Sequence, residues 1–321
     1  MIRRFCVAPM MDRTDRHERY FLRTLSKEML LYTEMIHANA VIHGNKDNLL
    51  KYHASEHPLA IQLGGSNADD LLEASLIAEG KGFDEINLNV GCPSPRVQSG
   101  SFGAVLMKQP YLVRDCLKLL VENTNIPVTV KCRIGVDEMD EDKDLDNFVT
   151  TVKDSGCKTF IIHARKAWLK GLSPKDNREI PPLNYERVYR LKDSFPDLEI
   201  IINGGIETTN DALEHLKFVD GVMVGRSAYD NPYPIVNVDK EIYSRSKPIP
   251  TRAEVLEGLV PYMENEIKNG NKLGYLTKHL MGLFKNTKHA KKARYTLANI
   301  DDDIYPMEKL KLLINETKEL C

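Results

Sequence analysis

Short apolar runs rich in β-branched residues recur along this chain, separated by longer amphipathic stretches. In order they are FCVAPM (5–10), MLLYTEM (29–35), LAIQLGG (59–65), EINLNVGC (85–92), PVTVKCRIG (127–135), TFIIHAR (159–165), EIIINGG (199–205) and DGVMVGR (220–226). Their hydrophobicity is closer to continuous than to alternating, the mark of strands covered on both faces of a parallel sheet. The spacers read as helices. NADDLLEASLIAEGKG (67–82) is the clearest, with Asn67 placed as N-cap and a glycine closing it. Eight strand–helix repeats over roughly 240 residues predict an α/β chain folded as a (β/α)8 TIM barrel. An open doubly wound sheet is the runner-up, disfavoured because no GxGxxG follows the first strand.

The strand–helix alternation fades near SRSKPIPTRAE (244–254). Two prolines mark a linker, and Thr251 with Glu254 matches a capping box opening a new helix. From there to Cys321 the pattern is helical. The expected organisation is a catalytic barrel over 1–246 and a smaller all-helical C-terminal domain over 247–321.

Composition narrows the class. The chain has 321 residues, enough to bury a core without disulfides or metals. Its 44 basic and 46 acidic residues leave a net charge of -2, which singles out no partner. Six cysteines (Cys6, Cys92, Cys116, Cys132, Cys157, Cys321) form no CxxC pair, which suits reduced thiols in a cytosolic protein. Nine histidines show no paired ligand spacing, against a structural metal. No secretory leader or bilayer-spanning run is evident, so a soluble, cytoplasmic protein is expected.

In a barrel of this kind, chemistry collects where strands end and the following loops begin. Those positions hold Pro9-Met10-Met11, Glu34, Gln62, Asn87 with Asn89 and Cys92, Lys131 with Arg133, His163 with Arg165, Asn203-Gly204-Gly205 and Gly225-Arg226. Any one of them alone reads as a solvated rim residue or a tight turn. Nearly every strand, however, delivers a polar group to the same face. Asn-Gly-Gly after strand 7 and Gly-Arg after strand 8 suit a phosphate: glycines admit backbone N–H groups, and arginine adds a charge-assisted contact. Lys131 lies within an apolar run, where an ammonium is costly without a partner. An anionic flavin ring would serve, with Gln62 offering donor and acceptor to its polar edge and Pro9-Met10-Met11 packing against it. His163 fits either a ring or a phosphate contact.

These segments resemble the tRNA-dihydrouridine synthases, and most closely the DusA-type subfamily. The resemblance is carried by INLNVGCPSPRVQSGSFGA (86–104), VAPMMDRTD, YTEM, VKCRIG, INGGI and DGVMVGRSAYDNPY, while HARKAWLKGLSPKDNR favours the subfamily. It implies FMN held by Pro9, Met10, Met11, Gln62, Lys131, His163, Asn203, Gly204, Gly205, Gly225 and Arg226. It also implies reduction of a uridine C5–C6 double bond in tRNA, with NADPH reducing the flavin first. Flavin N5 then delivers hydride to C6, and a cysteine, here Cys92, protonates C5. A thiol with an ordinary pKa of about 8.5 remains protonated at neutral pH and can act as general acid. Cys132 is the rival, but strand alternation points it away from the side of Lys131. Pro95 and Ser101 depart from the family pattern, which commonly has an acidic residue and an arginine there. KHAKKARYTLAN is also looser than the family's version.

Charge distribution adds a partner. Residues 268–300 carry seven lysines, one arginine and no carboxylate, interleaved with Tyr275, Phe284 and Tyr295. Residues 165–178 add five basic side chains against one aspartate. Basic tracts with aromatics suit phosphate contacts and base stacking. The family implies Asn89, Lys175, Arg178, Lys291 and Arg294 as tRNA contacts and D-loop positions 20 and 20a as targets. The target base must leave its stack to reach the barrel mouth. Neither a membrane nor an obligate protein partner is expected. One competing reading is a flavin-dependent reductase of a free pyrimidine, akin to dihydroorotate dehydrogenase, which would not need the basic tail. The other is an RNA-binding scaffold without catalysis, against which Cys92 and Lys131 both argue.

Overall fold

A computed structural model of the chain describes residues 2–246, 248–301 and 305–318. All eight predicted strands are present: β1 (Phe5–Val7), β2 (Leu30–His37), β3 (Leu59–Gly64), β4 (Glu85–Asn89), β5 (Val128–Arg133), β6 (Thr159–His163), β7 (Glu199–Asn203) and β8 (Gly221–Val224). Every neighbouring pair is parallel, and β8 closes onto β1, so the sheet is a barrel rather than an open doubly wound one. The strands stop earlier than the sequence runs, leaving Pro9-Met10, Gly91-Cys92 and Gly204-Gly205 in the loops beyond them.

Apolar side chains of the strands' outer faces pack under the surrounding helices, as with Leu31, Ile61, Leu88, Val130 and Ile202. A second, smaller cluster fills the barrel interior: Cys6, Ala8, Leu30, Tyr32, Ala60, Ile161, Ile201 and Met223. β4 departs from the expected continuous hydrophobicity. It alternates, and the inward set Glu85, Asn87 and Asn89 is polar yet buried, because these groups hydrogen-bond to one another's neighbours inside the barrel. Cys132 faces the helix layer, buried with Val130 and Ile134, as alternation predicts.

The helix Ala68–Gly80 begins where expected, with the Asn67 side chain accepting from the Asp70 N–H (2.9 Å). Beyond the barrel, the described residues form helices and no strand, including Arg252–Lys268, Ala290–Ala298 and Pro306–Lys318. The capping box is present: Thr251 Oγ1 accepts from the Glu254 N–H and Glu254 Oε2 from the Thr251 N–H. The expected boundary at residue 247 lies outside the described residues.

This helical region rests on the helix Arg16–Leu25. Tyr262 stacks on Tyr20 with ring centroids 3.9 Å apart, Arg16 pairs with Glu266, and buried His279 sits between Asp15 (3.0 Å) and Glu18 (3.5 Å). Gly282 lies so close to the segment after β8 that a β-carbon there would fall 2.5 Å from the Tyr229 carbonyl oxygen. The helical region is thereby held beside the C-terminal mouth of the barrel, where Lys285 reaches the cavity described next.

Candidate active site

Strand register does the assembling. Gln62 lies opposite Asn87, Asn89 opposite Lys131, Arg133 opposite His163, His163 opposite Asn203, and Asn203 opposite Met223. Their side chains and the loops above them enclose a cavity of about 1600 Å³ at the C-terminal end of the barrel. Every residue of the expected flavin set lines it, from Pro9-Met10-Met11 after β1 to Gly225-Arg226 after β8. Asn89, Cys92 and Arg178 line it as well.

Cys92 is fixed by its own loop. Asn89 Oδ1 accepts from the backbone N–H groups of Gly91 (3.1 Å) and Cys92 (3.0 Å), and the Cys92 carbonyl accepts from the Ala104 N–H (2.9 Å). Arg133 Nε donates to the Gly91 carbonyl (2.9 Å), while its Nη1 holds the carbonyls of Lys166 and Asn177. Gln98 Nε2 bridges the carbonyls of Pro93 and Leu169, tying this loop to the basic 165–178 segment. Pro95 finds its explanation here. It is the first residue of the short helix Pro95–Ser99, capped by Ser94, a position where a missing N–H costs nothing. Ser101 adopts a left-handed φ of 56°, and nothing in the structure explains serine over arginine there.

The cavity wall concentrates positive charge. Lys131 Nζ donates to Asn203 Oδ1 (3.0 Å), and among the described residues no carboxylate lies within ion-pair distance of it. Burial, with Arg133 nearby, brings Lys131 down to about 8. Burial, with Arg178 and Arg165, brings Arg133 down to about 10. Burial and the neighbouring Arg133 and Lys131 push His163 well below its ordinary value, so its imidazole is neutral. Arg178 is lowered by burial and by Arg226. Cations that depress one another in this way favour an anionic ligand. A tight glycine turn accompanies them. Gly204 (φ 117°) and Gly205 (φ 72°) turn the backbone past His163 and Tyr185, where a β-carbon would sit 2.7 Å from the His163 ring or 2.6 Å from the Tyr185 hydroxyl. Arg226 stands at the rim, its Nη1 held by Glu179 Oε1 (2.6 Å). These donors and the glycine turn fit an anionic, phosphate-bearing group.

A family model described as dihydrouridine synthase matches residues 6–318. The chain belongs to the dihydrouridine synthase family. This is a family of flavin-dependent oxidoreductases. It is 54% identical to the tRNA-dihydrouridine(20/20a) synthase of a Synechocystis strain, over 91% of this chain and 88% of that one. Identity to the proteins of the same name from Vibrio vulnificus and an Escherichia coli strain is 53%, over 91% and 92% of this chain and 89% of each relative. Among solved structures, a 2-naphthoyl-CoA reductase complex superposes with a TM-score of 0.58 at 9% identity, covering 77% of this chain and 51% of that one; the likeness is one of fold.

For a dihydrouridine synthase family member, the residues expected to meet RNA fall into two groups. Asn89 and Arg178 line the cavity. Lys175 is exposed at the turn Asp176–Arg178, and Lys291 and Arg294 are exposed on the helix Ala290–Ala298, beside a Tyr295 that is 71% exposed. Tyr275 is also exposed, whereas Phe284 is buried in the helical region's core and is not available for stacking. Asn89 already spends its oxygen on the Cys92 loop and an Nδ2 proton on Gln62 (2.8 Å). Sequence reading flagged Arg133 at its strand end without assigning it the loop, and missed Tyr185, whose hydroxyl donates to the Gly204 carbonyl (2.9 Å). The alternation in VTVKCR, which sends Arg133 inward with Lys131, is the signal for the first.

Gly103, with φ 74°, packs where a β-carbon would lie 2.6 Å from the Cys92 carbonyl oxygen and 2.4 Å from a Val97 methyl. Gly103→Ala should therefore displace the Cys92 loop and destabilise the fold by about 1–3 kcal/mol. Thermal unfolding and the iodoacetamide alkylation rate of Cys92 check this, and an unchanged alkylation rate would show that the loop does not depend on this contact.

Proposed function

We propose that this chain reduces the C5–C6 double bond of uridine in the tRNA D-loop, at positions 20 and 20a, to 5,6-dihydrouridine, with FMN as cofactor and NADPH as electron donor. The observation that carries the reading is the pairing of a rigidly held Cys92 with a cation-rich cavity whose Lys131 has no counter-ion among the described residues. The names of the relatives support the substrate and the positions.

FMN would be held by Gln62, Lys131 and His163 on the barrel wall, by Pro9-Met10-Met11 at the mouth, and by Asn203, Gly204, Gly205, Gly225 and Arg226 around its phosphate. Bound there, it supplies the hydride for C6 of the uridine and is recharged by NADPH. Cys92 holds at Sγ the proton that goes to C5, so that hydride and proton together saturate the bond. Its loop is pinned by Asn89, Arg133 and the close approach at Gly103, which fixes where that proton is presented. Cys132, buried in the helix layer and pushed up to about 12 by burial, is no rival. Residues 1–246 act as the catalytic barrel, and the helical 247–321 unit grips tRNA through Lys291 and Arg294 while Lys175, Arg178 and Asn89 lie nearer the extruded base. The exposed basic surface with Tyr275 and Tyr295 favours a polynucleotide over a free pyrimidine. No helix among the described residues is long and apolar enough to cross a membrane, and a tRNA substrate fits a cytoplasmic enzyme.

Cys92→Ala should retain FMN and its reduction by NADPH yet form dihydrouridine at least ~100-fold more slowly, as expected for loss of a general acid. Mass-spectrometric mapping of tRNA gives the readout, and normal product formation by the variant would remove Cys92 from the mechanism. An anion beside Lys131 stabilises its ammonium form, so its pKa, about 8 in the free protein, should rise when FMN binds. Affinity is then greatest below pH 8, falls as pH rises through about 8, and levels off above the higher pKa of the complex. Calorimetry at pH 8 in buffers of different ionisation enthalpy should detect proton uptake that Lys131→Met abolishes. Replacing both Lys291 and Arg294 by Ala should weaken tRNA binding and flatten its log–log salt dependence by roughly 1.5 to 2; an unchanged slope would exclude this helix from the RNA surface.

A further inference from the structure

The polar side chains inside the barrel form a hydrogen-bond chain whose direction can be read from its ends. At the floor, Arg3 Nε donates to Glu85 Oε2 (2.6 Å) and the Tyr32 hydroxyl donates to Oε1 (2.6 Å). As the carboxylate of that ion pair, Glu85 offers acceptors only. Burial and Glu85 push Tyr32 well above its ordinary value, which keeps its hydroxyl a donor. Thr129 Oγ1 lies 2.7 Å from Glu85 Oε1 and must donate to it, so its lone pairs accept from Asn87 Nδ2 (2.9 Å). Asn87 Oδ1 is then left to accept from Gln62 Nε2 (2.7 Å), and Gln62 Oε1 to accept from Asn89 Nδ2 (2.8 Å). The chain ends at Asn89 Oδ1, which accepts from two backbone N–H groups, those of Gly91 and Cys92.

Both ends resist reversal. Turned around, the chain would set the Thr129 lone pairs against a carboxylate and Asn89 Nδ2 against two N–H donors. An amide can rotate by half a turn at almost no cost in shape, so packing alone would not select one orientation for Gln62, Asn87 or Asn89. A fixed acceptor at one end and fixed donors at the other do.

We propose that Glu85 and Thr129, remote from the cavity mouth, are positioning residues that set the amide orientation of Gln62 through Asn87 and thereby hold the Asn89 oxygen on the Cys92 loop. The part concerning Gln62 rests on the flavin reading of the cavity; the part concerning Cys92 does not.

Thr129→Val keeps the shape and removes the hydroxyl, and Thr129→Ser restores it. Two measurements separate the arms: alkylation of Cys92 by iodoacetamide in cofactor-free protein, mapped by peptide mass spectrometry, and FMN affinity by fluorescence quenching. Thr129→Val should alter the Cys92 rate about fivefold and weaken FMN roughly tenfold, the scale of one buried polar group left unpaired, while Thr129→Ser stays within about twofold of the wild type. Circular dichroism and Tm verify folding, and Thr129→Ala, expected to show the same losses, replaces a Val variant that does not fold. Wild-type behaviour in a folded Val or Ala variant overturns the proposal, as does failure of Thr129→Ser to restore it. Loss of folding in both would assign the hydroxyl to stability and equally overturn the positioning role. Failure of the wild type itself to bind FMN would overturn the flavin reading and leave the Cys92 arm to judge the chain.

Discussion

The ion pair between Arg3 and Glu85 is the interaction on which this barrel's interior depends. Parallel barrels are ordinarily filled by apolar layers, and here apolar residues such as Leu30, Ile161, Ile201 and Met223 do fill part of the interior. The remainder is polar from floor to mouth. Burial works against the Arg3 charge, yet Glu85 and Glu199 together hold it above its ordinary value. Glu199 in turn accepts from Thr159 (2.7 Å), so both carboxylates of the floor are satisfied. Removing one member of such a pair would leave a buried charge without compensation, a loss of about 3–5 kcal/mol. With the floor satisfied, Thr129, Asn87, Gln62 and Asn89 can be stacked above it without an orphaned group.

The cavity at the top follows the opposite rule. Lys131, Arg133, Arg178 and Arg226 are brought together there; Glu179 pairs with Arg226, while Asp12, Asp15, Glu34, Glu207 and Asp230, which also line the cavity, form no ion pair with the other three. The protein carries this mutual repulsion because the barrel and its helix layer supply stability elsewhere. Arg133 shows how closely the two demands are joined. Its guanidinium holds three backbone carbonyls, one of them that of Gly91 next to Cys92, so a charge that disfavours its neighbours also fixes the Cys92 loop.

Much of this was legible in the chain. Eight apolar runs predicted eight strands, and the register of a parallel barrel then required their C-terminal ends to meet. Cys92, Lys131, His163, Gly204-Gly205 and Gly225-Arg226 were accordingly visible together at the barrel mouth. Lys131 and Cys132 could be told apart by alternation alone. Pro95 was not interpretable, because its meaning depends on whether a helix starts there, and a five-residue helix leaves almost no periodic signal. Phe284 read as a stacking aromatic because exposure is not written in a sequence; the helical region turns it inward and leaves Tyr275 and Tyr295 outside.

The sequence by itself determined the barrel class, the helical tail and the set of residues gathered at the mouth, because periodicity and strand ends are local properties. Tertiary structure alone decided which polar groups face inward and which partner each one finds. Glu85 and Thr129 look unremarkable along the chain, and the partners of Asn87 could not be read there, since a hydrogen bond between β4 and β5 joins residues 42 or 44 positions apart. Direction in such a chain is set by its two ends, a carboxylate at the start of β4 and the backbone N–H groups of Gly91 and Cys92 just beyond it, and the pairing of β3 and β5 with β4 brings Gln62 and Thr129 into line between them.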